Sequence, residues 1–151
     1  MVLAVLFFHA ALRSMTEGKT ALRASWAFGL YPPFLYHLAY LLPETLAVAL
    51  ICAFGHRFLR FLGDAAGRWR DLALAAAFCA WLALAKVLFG YVILACGVLA
   101  LAMVVVRGRR VWLRAVAVFG LALALCTPYL RYTHELTDKW FYWSDAGGLQ
   151  L

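Results

Sequence analysis

Lys86 is the only charge after Asp71 in a run of 36 residues, DLALAAAFCAWLALAKVLFGYVILACGVLALAMVVV, that ends at Val106. An ammonium group in such a setting can act as a point charge with several donors for a phosphate. Arg131 follows Pro128-Tyr129-Leu130 and brings a guanidinium fork that suits the same anion. Glu44 directly follows Pro43 in LLPETL, and its carboxylate could bind a sugar hydroxyl, an amine or a cation. Tyr31 and His37 flank the break Pro32-Pro33 and complete the polar set. Each also has a purely structural reading. Lysines snorkel to the membrane surface, an acid in a first helical turn complements the helix dipole, and an arginine anchors a helix to headgroups.

Other combinations carry less. Cys52, Cys79, Cys96 and Cys126 are isolated in apolar runs, with no CxxC or Cys/His spacing for zinc or redox work. Bis-histidine haem ligation needs two imidazoles at one depth of a bundle. Of the four histidines, His37 and His134 are interfacial and His56 adjoins a basic loop, which leaves only His9 inside an expected span. Glu135, Asp138 and Asp145 read as solvated acids of a polar tail. The residue types alone name no catalytic group and no metal site.

The elements that must position these groups follow from composition. At 67% hydrophobic and 14% charged, the 151-residue chain departs from a soluble domain and reads as a polytopic all-α membrane protein. No stretch alternates as a membrane β-barrel would. The opening MVLAVLFFHAALRS has no basic start and no small-residue cleavage site, so it reads as a membrane segment rather than a secretory signal. The net charge of +7 does not point to nucleic acid, because the cations fall in short loops between apolar runs.

Length and charge then set a topology. A crossing needs about 20 residues, so the run 71–106 is too long for one span and turns near Lys86 to Tyr91. The stretch 24–55 is likewise too long and is broken by Pro32-Pro33 and Pro43. Two hairpins put the loops Arg13–Arg23, Arg57–Arg70 and Arg107–Arg114 on one side, and these hold eleven of the 14 Lys and Arg residues. That agreement predicts a transmembrane bundle of about six segments, at 1–13, 22–37, 42–58, 70–85, 88–106 and 111–130, with the basic loops cytoplasmic. Residues 131–151, rich in Tyr and Trp, form an interfacial segment on the outer face. The Ala-, Leu- and Arg-rich composition suggests a bacterial inner membrane. Tyr31, His37, Glu44, Lys86 and Arg131 all gather on the outer side.

The order of these features resembles the GT-C class of polyprenyl-phosphate-sugar-dependent glycosyltransferases, family 39, which includes protein O-mannosyltransferases and lipid A aminoarabinose transferases. Tyr31-Pro32-Pro33, Pro43-Glu44-Thr45-Leu46, the turn lysine Lys86, the basic loop RGRRVWLR, Pro128-Tyr129-Leu130-Arg131 and Ser144-Asp145-Ala146-Gly147-Gly148 stand in the family's sequence of motifs. Together they cover nearly all of the chain. Tyr132 stands where that pattern has Asn, Val87 where it has Pro, and Asp138 near a spacer Gly. The family's first outer loop, with its catalytic aspartate, has no counterpart, so the chain is expected to be an internal piece of a larger enzyme.

The resemblance implies transfer of a sugar from a polyprenyl-phosphate donor to a lipid or protein acceptor at the outer face of the membrane. Lys86 and Arg131 would hold the donor phosphate, and Tyr31, His37 and Glu44 would line the cavity. No cofactor is implied for this chain, although the complete enzyme could hold a divalent metal. The alternatives are a small non-enzymatic membrane subunit, such as a respiratory-complex anchor with or without haem, and a small transporter. The two hairpins show no internal repeat, which weighs against the transporter.

Overall fold

The computed structural model describes residues 2–32, 43–64 and 68–141. Among them the chain forms six helices: α1 (Val2–Arg13), α2 (Gly18–Gly29), α3 (Pro43–Gly63), α4 (Trp69–Ala85), α5 (Val87–Arg107) and α6 (Arg110–Thr137). His37 and the Ser144–Gly148 turn lie outside the described residues. Three helices, α3, α5 and α6, are long and apolar enough to cross a membrane, which makes this an all-helical membrane protein by length and composition. The sequence suggested about six such segments. The 12 residues of α1 reach only about 18 Å at 1.5 Å per residue, and the 17 of α4 about 25 Å, against a hydrocarbon core of about 30 Å.

The helices fold back on one another in order. α1 and α2 form a hairpin in which Phe8 stacks on Phe28 at 4.3 Å and His9 Nδ1 meets Ser25 Oγ at 3.1 Å. Ser25 Oγ donates to Ala21 O, so the histidine supplies the proton for the bond between helices. A Cβ at Gly29 would come within 3.2 Å of Val5, so glycine permits this close approach. α2 then stops: Leu30 closes it with its amide donating a hydrogen bond to Trp26 O, and Tyr31, preceding Pro32, is biased away from helical backbone. The sequence reading carried this helix on to residue 37.

α4 is the central helix. It packs against α3, α5 and α6, and its inward face is made of small residues: Ala75, Ala76, Cys79, Ala80 and Ala83. Opposite them stand Ala115, Ala122 and Cys126 of α6 and Ala100 of α5, with Ile93 and Phe119 filling the wider gaps. Lipid tails are as apolar as Leu, so helices in a membrane gain by close backbone approach, which small residues allow. Cys79 and Cys126 serve here as small packing side chains, and Cys126 Sγ lies 3.8 Å from Ala80 O. The outer faces are the reverse, with Leu88, Val98, Val105 and Val106 all exposed along α5.

α6 is the second departure from the sequence reading, which ended this helix at residue 130. It continues through Pro128 to Thr137, and Asp138 closes it in left-handed backbone with φ 57°. Proline removes one amide donor and crowds the carbonyl four residues back. In the same turn Thr127 Oγ1 donates to Leu123 O, and Thr133 and Thr137 make similar bonds further along. Arg131, His134 and Glu135 therefore stand on a helix rather than in an irregular tail.

The small-residue seam leads to a contrast. Ala122→Leu, at a fully buried position, is expected to cost about 1–3 kcal/mol of stability through overpacking. Val105→Ala on the exposed face should change stability by less than about 0.5 kcal/mol. Equilibrium unfolding in mixed micelles reads both, and equal effects would refute the α4–α6 seam.

Candidate functional site

The chain order and helix contacts put the three basic loops at one end of the bundle, and Glu44, Lys86 and Arg131 at the other. Pro43 occupies the first position of α3, where its missing amide costs nothing, and Glu44 sits next in the first turn. Lys86 is the entire connection between α4 and α5. Its backbone is extended (φ −140°, ψ 117°), its amide closes α4 on Leu82 O, and its carbonyl receives the Phe89 amide that starts α5.

These two residues, 42 positions apart, are in contact: Lys86 Nζ donates to Glu44 Oε1 at 2.8 Å. The pair ties the start of α3 to the α4–α5 turn. Beneath it Ala47, Leu50 and Leu82 are buried together, with Phe89 packed against them. The side chains keep 33% and 42% of their exposure, so the pair is open to exchange with a ligand. An ammonium has three donors, and Glu44 Oε1 takes one of them. A phosphate approaching Lys86 therefore meets a cation already held in place, and must share it with a carboxylate.

Arg131 is placed differently. Its Nε lies 3.3 Å from Glu135 Oε1, one turn along the same helix, and both side chains are largely exposed. The two residues border a cleft of about 690 Å³ along α6, bounded by Trp140 and Phe141 and by Leu94 of α5, with an apolar floor that includes Leu94, Leu123 and Leu130. Lys86 is not among the residues lining it. The two expected phosphate ligands thus share an end of the bundle but belong to different constellations. Tyr31 is exposed just after α2, at that same end. Among the described residues no three His, Cys, Asp or Glu side chains converge on a metal position.

The opposite end holds a set of contacts that sequence reasoning did not foresee. Asp71, in the first turn of α4, is 3% exposed, with Arg57 Nη1 at 2.9 Å and Arg60 Nε at 3.9 Å from its two oxygens. Arg114 of α6 donates to the carbonyls of Phe61, Leu62 and Asp64, which are the orphan acceptors at the end of α3. It also lies over the Phe61 ring at 5.7 Å. Positive-inside bookkeeping counts Arg57, Arg60 and Arg114 as loop charges, whereas here they stitch α3 to α4 and α6. The available signal was the position of Asp71 as the lone acid opening an apolar run beside a basic loop.

No protein-family model, curated protein or solved structure matches this chain.

Burial separates the two ends energetically. Asp71→Asn leaves the half-buried Arg57 guanidinium without its counter-charge and is expected to cost about 3 kcal/mol. Lys86→Met, which breaks the half-exposed pair, should cost less than about 1 kcal/mol. Unfolding midpoints of the two variants in the same micelles give the comparison. A larger loss for Lys86→Met would reverse the assignment of structural and exchangeable pairs.

Proposed function

We propose that the chain is part of a membrane glycosyltransferase that uses a polyprenyl-phosphate-linked sugar, with Lys86 receiving the donor phosphate. The observation that carries this reading is the Lys86–Glu44 contact. The resemblance assigns both residues to one cavity from distant parts of the sequence, and they meet at a hydrogen-bond distance. The polar end is also the end away from the basic loops. Under the positive-inside tendency that end faces outward, which in this reading puts the donor site at the outer leaflet of a bacterial inner membrane.

In this reading Lys86 stabilises the phosphate as negative charge builds on the leaving oxygen. Glu44 holds the ammonium in position before the donor arrives, and it is the competitor that the phosphate must outbid. Tyr31, exposed at the same end, and His37 would border the sugar. Arg131 as a second ligand for the same phosphate is what the resemblance implies; its separate cleft favours a lipid headgroup contact instead. No residue of this chain is assigned the role of general base, and the acceptor is open to lipid or protein.

The test is binding of undecaprenyl phosphate to the purified chain in phosphatidylcholine nanodiscs. Lys86→Met should weaken binding about tenfold, the weight of one charge-assisted hydrogen bond. Glu44→Gln should strengthen it, because the carboxylate no longer competes. Undiminished binding by Lys86→Met, or weaker binding by Glu44→Gln, would sink the proposal.

A further inference from the structure

The cleft along α6 has the shape and polarity of a site for one lipid molecule. Its floor runs from Leu94 of α5 and Leu123 to Leu130, on helices long and apolar enough to cross a membrane. Its mouth holds Arg131, His134 and Glu135. Arg131 stands about 30 Å along α6 from Arg110 at 1.5 Å per residue, which puts the mouth at headgroup depth when Arg110 lies at the other surface. The chain turns at Asp138 and returns Trp140 over the cleft, where its ring stacks on His134 at 4.0 Å. His134 Nδ1 is buried there with no hydrogen-bond partner in the protein. A tryptophan over the mouth of an apolar slot is the arrangement an amphipathic ring adopts at a membrane surface.

Charge selects the occupant. The mouth presents one cation and one anion, Arg131 and Glu135, a single helical turn apart and both accessible. A headgroup with a lone phosphate would meet Arg131 but would also face the Glu135 carboxylate. A headgroup with both a phosphate and a primary ammonium can satisfy the two together. We propose that this cleft binds an aminophospholipid of the surrounding bilayer, phosphatidylethanolamine in kind. Its phosphate lies on Arg131, its ammonium on Glu135 and one acyl chain along Leu123 and Leu130. The inference is independent of the donor site at Lys86, since neither Lys86 nor Glu44 lines this cleft.

Trp140 is the reporter. The full chain is reconstituted in phosphatidylcholine vesicles containing a fixed mole fraction of either phosphatidylethanolamine or phosphatidylglycerol with brominated acyl chains. Trp140 quenching is obtained by difference from Trp140→Phe, because the chain has six tryptophans. Quenching by the ethanolamine lipid should be about two- to fivefold more effective than by the glycerol lipid, the range expected of one exposed ion pair. Glu135→Gln should erase that preference, while Arg131→Gln should weaken quenching by both lipids. Helical content by circular dichroism confirms that the variants remain folded. Equal quenching by the two lipids in the unaltered chain would mark ordinary annular lipid and overturn the proposal, as would a preference for phosphatidylglycerol or an unchanged preference in Glu135→Gln.

Discussion

The antiparallel pair α3 and α4 is clasped at both ends by charge. Arg57 at the far end of α3 holds Asp71 at the start of α4, and Glu44 at the start of α3 holds Lys86 at the end of α4. Each acid stands in a helix's first turn, where it also complements the helix dipole. Between the clasps Leu50 is buried with Leu82, and just past Arg57 Phe61 is buried with Ala75. Two fixed points some 13 residues apart on α3 leave little freedom to slide. The small-residue face that α4 turns toward α5 and α6 then stays in one register.

The rest of the bundle depends on that register. Ala76, Ala80 and Ala83 meet Ala122 and Cys126 only while α4 keeps its depth relative to α6. Arg114 secures the depth of α6 independently, by reaching the last carbonyls of α3. The hydrophobic effect contributes little between helices already surrounded by lipid tails, so these polar fastenings and close contacts do more than they would in water. α1 and α2 lie further out. α1 reaches the clasped pair through Phe7 against His56 and Phe78, and α2 touches the bundle chiefly through α1.

Much of this was legible in the sequence, and the reason differs by feature. The turn at Lys86 follows from length alone, because 36 apolar residues exceed one crossing. The odd charges Lys86 and Glu44 stood out because their neighbours are apolar. Their pairing did not, since it requires knowing that α3 neighbours α4 and at what depth. Asp71 was passed over as the edge of a run, because an acid beside a basic loop looks solvated until burial is known. The length of α6 was hidden for another reason. Twenty residues already suffice for a crossing, and the polar, aromatic stretch after Leu130 reads as an interfacial tail; the helix runs on through it, so Arg131 and Glu135 acquire a fixed helical spacing that a tail would not have.

The two clasps are alike in chemistry and unlike in access, and that difference assigns their roles. Around Asp71 the carboxylate is almost wholly enclosed and shared between two arginines, so nothing can replace it without first opening the helix pair. Around Lys86 a third or more of each side chain remains exposed, so a ligand can reach the ammonium without moving α3 from α4. Burying the second pair as well would set a desolvation cost against its Coulomb attraction, so its exposure need not weaken the fastening. The open pair lies where α4 passes into α5 through a single lysine. An anion carried by a lipid would arrive at that depth. The packing of Leu50, Leu82 and Phe89 beneath would keep the turn in place while the charges exchange partners.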